Sequence, residues 1–133
     1  VGKIAVPDAI LFKPDRLTTD EFARVRAHAA LGAEIVADVL SASQVAWVRG
    51  HHERWDGSGY PDRLAGDAIP VGARILTLAD AWDVMTSERP YGVPLSREDA
   101  LAECRRCSGS QFWPAVVDAL ERVLAAGLLT PGP

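Results

Sequence analysis

The sequence predicts an all-α fold, a bundle of about five helices with two structured loops. Three observations predict it. Apolar residues recur at steps of three and four along most of the chain. A capping residue or a helix-opening proline precedes most of these runs. No segment of useful length alternates with a period of two, and no internal repeat is present.

Residues 1–17 read as extended or loop, with Pro7 and Pro14 as breakers. Thr18 is a good N-cap, and Glu21 completes a capping box. The helix after it is expected to run to about Leu40, with Phe22, Val25, Ala29, Gly32, Val36 and Val39 as its apolar stripe. Ser41-Ala42-Ser43 reads as a break. A second helix from about Gln44 carries Val45 and Val48 into His51 and His52. Residues 53–69 read as one long loop, and loops of this length are often functional. Pro70 opens a third helix, Val71 to about Ser87. Residues 89–94 are a second irregular stretch. Ser96 and Asp99 cap a fourth helix ending near Cys107, stopped by Ser108-Gly109. Pro114 opens a fifth helix, with Val117, Leu120 and Leu124 inward, and 130–133 form a frayed tail.

At 133 residues, with 48% hydrophobic and 24% charged residues, the chain is one domain able to bury a core without staples. A net charge of −4 gives no overall attraction to a nucleic-acid polymer or an anionic membrane. No apolar run approaches the ~18 residues of a membrane span. The start, Val1-Gly2-Lys3-Ile4, lacks a signal-peptide pattern. It also lacks an initiator Met, so the expectation is a chain cut from something longer. Cys104 and Cys107 are spaced C-x-x-C without partners for a zinc site. They read as two small, reduced residues on one helix face, which fits a cytoplasmic location.

Two of the three histidines are adjacent, at His51-His52-Glu53-Arg54-Trp55-Asp56-Gly57-Ser58-Gly59-Tyr60-Pro61. Neutral imidazole is the commonest side-chain metal ligand, and a helix end beside a glycine-rich turn suits a metal centre. His28 steps with Val25, Gly32 and Ile35 onto the inner side of its helix, as a ligand or as a core histidine bonded to a carbonyl. Asp80 shares a stripe with Ala73, Leu76 and Val84, which points it toward the core. A buried aspartate needs a metal or a salt bridge, here to Arg49 or Arg74. Such nitrogen and carboxylate donors suit iron, manganese or zinc. Adjacent helical residues differ by ~100° in direction, so two metals are possible, and two-metal centres commonly catalyse phosphoester hydrolysis. Gly57 and Gly59 permit positive φ or close backbone approach. Pro61 biases Tyr60 toward an extended conformation. Trp55 and Tyr60 either stack on a base or cover the core. Arg89 either clamps a phosphate or is a solvated surface arginine.

The block from His51 to Pro61, with Ile69-Pro70-Val71-Gly72-Ala73-Arg74-Ile75-Leu76, Ala79-Asp80 and Thr86-Ser87-Glu88-Arg89-Pro90-Tyr91, resembles the HD-GYP subgroup of the HD phosphohydrolase superfamily. The run from Gly2 to Asp8, then Leu17-Thr18 and His28, is also similar. The resemblance covers nearly the whole chain. It implies an HD-type helical bundle and a cyclic di-GMP phosphodiesterase with two or more divalent metals, usually iron or manganese. It implies His28, His51, His52 and Asp80 as metal ligands and Lys3 as a residue that contacts substrate phosphate or assists catalysis. Gly59, Tyr60 and Pro61 would form the signature loop at the nucleotide, and Arg89 would bind its phosphate. The cyclic dinucleotide is the implied partner, and an upstream sensory or receiver domain the implied regulator.

Three departures stand out. The His-Asp pair that names the superfamily belongs immediately before Val1 and is not in the chain, so residues 1–133 are expected to be the C-terminal portion of the domain. Gly92-Val93 replace a basic residue common in the family after Arg-Pro-Tyr. Family members also tend to carry an acid near Trp113. Two competing expectations follow: an inactive HD-GYP-like sensory or protein-interaction module, and an HD hydrolase acting on another nucleotide or phosphoester.

Overall fold

The computed structural model of the chain describes residues 17–88, 90 and 92–129. Lys3, Arg89 and the readings made for 1–16 and 130–133 lie outside those residues. Five α-helices stand among the described residues: α1 (Thr19–Val36), α2 (Ala42–Gly50), α3 (Val71–Thr86), α4 (Arg97–Arg106) and α5 (Pro114–Ala125). A 3-10 turn, Gly66–Ala68, ends the first loop. No described helix is long and apolar enough to cross a membrane.

The caps explain where the helices begin. The Thr18 hydroxyl accepts from Glu21 N, and the Glu21 carboxylate accepts from Thr18 N at 2.8 Å. Ser41 and Gln44 form the same reciprocal pair at α2. Ser41 is therefore a cap and not part of a break, and α2 begins two residues earlier than expected. Ser96 caps α4 by accepting from Asp99 N at 3.0 Å. Pro114 sits in the first turn of α5, where its missing N–H removes nothing.

α1 ends at Val36 rather than near Leu40, and the residues after it form turns. Its expected apolar stripe is only partly inward. His28, Ala29, Gly32 and Ala33 are buried, whereas Phe22, Ile35 and Val39 are exposed.

α3 organises the packing: it lies against α2 on one side and against α4 and α5 on the other. Trp47 of α2 packs directly on Gly72, where an added Cβ would lie 2.2 Å from the indole. Glycine there sets how closely the two helices approach. On the far side, Leu78, Cys104, Cys107, Phe112 and Val117 form the apolar core, flanked by Trp82, Met85 and Leu120. Both cysteines are free thiols in this core. Burial pushes the Cys104 thiol from its ordinary 9.0 up to about 11, and raises Cys107 as well.

Arg74 is buried beneath this architecture. Its guanidinium donates to Ile69 O (2.8 Å) and Asp67 O (3.1 Å), and the Asp67 carboxylate lies 3.5 Å away. It also sits over the stacked indoles of Trp113, 4.6 Å from the ring centroid, and Trp55, 5.6 Å. Trp113 thus receives the cation through its π face. Trp55 is half-buried and stacks on Trp113, with ring centroids 6.1 Å apart.

Candidate metal centre

His28 comes from the middle of α1, while His51 and His52 follow the last residue of α2. One ligand atom from each of these three residues lies within 4.8 Å of the others. The His28 and His52 ring centroids are 4.6 Å apart, and those of His51 and His52 4.1 Å. His28 Nδ1 bonds Val25 O, and His51 Nδ1 lies 2.6 Å from Val48 O. A carbonyl only accepts, so each Nδ1 carries the proton and each Nε2 presents a lone pair. His28 is therefore both bonded to a carbonyl and placed for ligation. Three converging imidazoles with two tautomers fixed in this way fit a divalent transition metal.

α3 holds His51 in place: the Thr77 hydroxyl lies 2.9 Å from His51 O and 2.8 Å from Ala73 O. Asp80, one turn on, lines the same cleft as His51 and His52 but stands outside the three-residue convergence. It is exposed, as are Leu76 and Val84 of its expected stripe. The buried face of α3 runs instead through Ala73, Arg74, Thr77 and Leu78. Hydrogen bonding lets Arg74 and Thr77 take inward positions that an apolar template assigns to their neighbours. Neither proposed arginine pairs with Asp80. Arg49 forks onto Asp62 at 2.8 and 2.9 Å, and Arg74 belongs to Asp67 and the indoles.

The loop after His52 folds back over the histidines. Gly57 has φ +84, and the Tyr60–Pro61 bond is cis. Gly59 is required by close approach. An added Cβ would lie 2.4 Å from Arg54 N, 2.5 Å from His52 O and 2.7 Å from Glu53 Cα, all of them backbone atoms. Tyr60 N reaches His52 O at 3.3 Å, and its ring stacks on the His52 imidazole at 5.0 Å and 17°. Burial raises the Tyr60 phenol above its ordinary value, so it stays protonated at neutral pH.

Glu53 was not singled out in the sequence. It is 1% exposed, and its two oxygens accept from Asp62 N (2.7 Å) and Leu64 N (3.0 Å). It ties the returning limb of the loop to the end of α2. An acid next to a histidine pair could have been flagged as a loop anchor, but its burial depends on the chain returning ten residues later. Trp55 N and Asp56 N bond Gln111 O and Ser110 O, joining this loop to the turn between α4 and α5. Together these elements bound a cleft of about 410 Å³ that runs from His51 and His52 past Tyr60 and Asp80 to Gln111.

The HD domain family matches residues 1–116. A probable cyclic di-GMP phosphodiesterase of Vibrio cholerae is 45% identical over 128 residues, 90% of this chain and 29% of its own length. The cyclic di-GMP phosphodiesterase response regulator RpfG of Xanthomonas campestris is 44% identical over 129 residues, 92% of this chain and 33% of its own. The chain therefore spans about a third of the length of these relatives. The crystal structure of a cyclic GMP-AMP specific phosphodiesterase of V. cholerae superposes with a TM-score of 0.69 at 22% identity, covering 94% of this chain and 33% of that one, and shows the shared fold. The family match, these relatives and the His-His to Gly-Tyr-Pro block together identify the chain as a member of the HD domain family, in its HD-GYP group.

Proposed function

We propose that this chain carries the site of a metal-dependent phosphodiesterase that hydrolyses cyclic di-GMP to pGpG or GMP in bacterial signalling. The observation that supports this most is the convergence of His28, His51 and His52 at one end of a cleft walled by the Gly59-Tyr60-Pro61 loop. His28, His51 and His52 would hold a divalent metal, iron or manganese by family resemblance, which when bound would supply Lewis-acid chemistry for phosphoester hydrolysis. Asp80 lines the same cleft, which supports the reading of it as a further ligand beside the histidines. Tyr60 keeps His52 in position by stacking and offers a protonated phenol to a phosphate oxygen. The motif resemblance assigns Lys3 to phosphate contact or catalysis and Arg89 to phosphate binding. The relative that is a response regulator supports an upstream receiver or sensory domain as the regulator.

A second reading concerns the substrate. A relative 40% identical over 125 residues is a 3'3'-cGAMP-specific phosphodiesterase of V. cholerae, so a mixed cyclic dinucleotide competes with cyclic di-GMP. Turnover of cyclic di-GMP, 3'3'-cGAMP and cyclic di-AMP by manganese- or iron-loaded protein decides between them. Absence of turnover on all three with metal bound would sink the enzymatic reading. Expected is hydrolysis of at least one, lost in His51→Ala.

A further inference from the structure

We infer that Arg54 binds the second, non-reacting phosphate of a cyclic dinucleotide whose first phosphate lies at the histidines; this rests on the proposed function. Such a substrate carries two phosphodiester charges separated by single riboses. A cleft that holds one at a metal centre needs a cation for the other.

Among the described residues Arg54 is the sole guanidinium lining the cleft with His51 and His52. Apart from Asp80, which lines the same cleft, and Arg26, whose guanidinium lies 5.5 Å from the centroid of the Tyr60 ring, the charged groups nearby are committed. Glu53 is satisfied by two backbone amides, and Arg49 forks onto Asp62. Arg74 is buried under two indoles, Arg105 bonds Glu121, and Arg106 bonds Glu103. Arg54 has only a loose carboxylate contact, Nε to Asp56 Oδ1 at 3.6 Å. That oxygen already accepts from Ser58 N (3.0 Å) and Ser58 Oγ (2.6 Å). The Arg54 backbone is held firmly, because Gly59 packs against its amide nitrogen. A planar fork on a fixed backbone, engaged only through one loose contact of its Nε, suits a phosphate.

The test compares wild type, Arg54→Gln and Arg54→Lys with three probes. Binding of cyclic di-GMP and of cyclic di-AMP to the metal-free protein is measured by calorimetry. Hydrolysis of bis(p-nitrophenyl) phosphate, which has a single phosphate, is measured with manganese. Expected is binding of both cyclic dinucleotides weakened about tenfold or more in Arg54→Gln and partly restored in Arg54→Lys. The single-phosphate diester should lose much less. Equal losses on all three probes would make Arg54 a structural residue. A loss confined to the guanine ligand would make it a reader of the base edge, and unchanged binding would remove it from the site. Each of those three results overturns the assignment while leaving the phosphodiesterase reading intact. Wild-type protein that cleaves the simple diester but binds no cyclic dinucleotide overturns both.

Discussion

The two sides of α3 are built from different materials. The side facing α4 and α5 buries Leu78, Cys104, Phe112 and Val117, with apolar atoms against apolar atoms. The other side packs on α2, which in turn packs on α1, and this half buries His28, Ala29, Gly32, Ala33, Gly50 and Glu53, small or polar residues. Apolar packing stabilises without regard to direction and in proportion to area. Hydrogen bonds and backbone contacts fix direction, and their net contribution to stability is small. The difference implies a division of labour in which the first side holds the fold together and the second aims the imidazoles. Mutations on the two sides should therefore separate stability from activity.

The largest effect is expected from Phe112→Ala. Removing a 3%-exposed ring from the core leaves a cavity and should cost about 3–5 kcal/mol. Calorimetry should show the melting temperature lowered by roughly 10–20 °C. The ring also lines the cleft, so turnover per folded molecule should fall as well, but by less than for a change beside the histidines. If turnover is lost while the melting temperature holds, the division fails.

Gly59→Ala probes the other side. Its Cβ meets three backbone atoms of residues 52–54, none able to move without displacing His52 or Arg54. A displacement near 1 Å at the reacting centre costs about 100-fold in rate, and that loss in kcat/KM is expected with a smaller change in stability than for Phe112→Ala. Retention of full turnover would mean that the loop does not position the histidines.

Glu53→Gln is expected to be milder and local. The amide has one accepting oxygen for two backbone donors and turns an N–H toward the other, a cost of about 1–3 kcal/mol. Amide hydrogen exchange at Asp62 and Leu64 should quicken, while exchange in α5 stays as in wild type. Uniform quickening along the chain would place Glu53 among the residues that hold the whole fold.

Legibility in the sequence follows the same divide. The helices and four of their starts could be read because capping chemistry is local: Thr18 with Glu21, Pro70, Ser96 with Asp99, and Pro114 each act within a few residues. His28, His51 and His52 could be read because their residue type names their chemistry, and the fold brings them together. The buried face of α3 could not, since Arg74 and Thr77 enter it through partners at Ile69 O and His51 O that are contiguous only after folding. Glu53 was missed for the same reason. Periodicity points Asp80 inward, but the arginines that could pair with it there are engaged by Asp62 and Asp67, and it stands exposed at the cleft.

The smallest expected effect belongs to the core's own titratable group and tests whether that side is as apolar as the comparison requires. Cys104 is fully buried, and its folded-state thiol is raised from 9.0 to about 11, chiefly by desolvation. The neutral thiol is the favoured form in the fold, so the folded state keeps its proton above pH 9 while the unfolded chain releases it. The linked stability is fully present below about pH 9 and is lost as pH rises toward about 11, with a slope of up to about 1.4 kcal/mol per pH unit. Denaturant titrations across that window should show the decline in wild type and a shallower one in Cys104→Ala, compared by slope because the substitution also lowers stability at every pH. Iodoacetamide at pH 8 should leave Cys104 unmodified until the protein unfolds, since the thiolate is both scarce and enclosed. Rapid alkylation of Cys104 in the folded protein would mean that water reaches the α3–α5 side, and the contrast between an apolar core and a hydrogen-bonded site would then have to be redrawn.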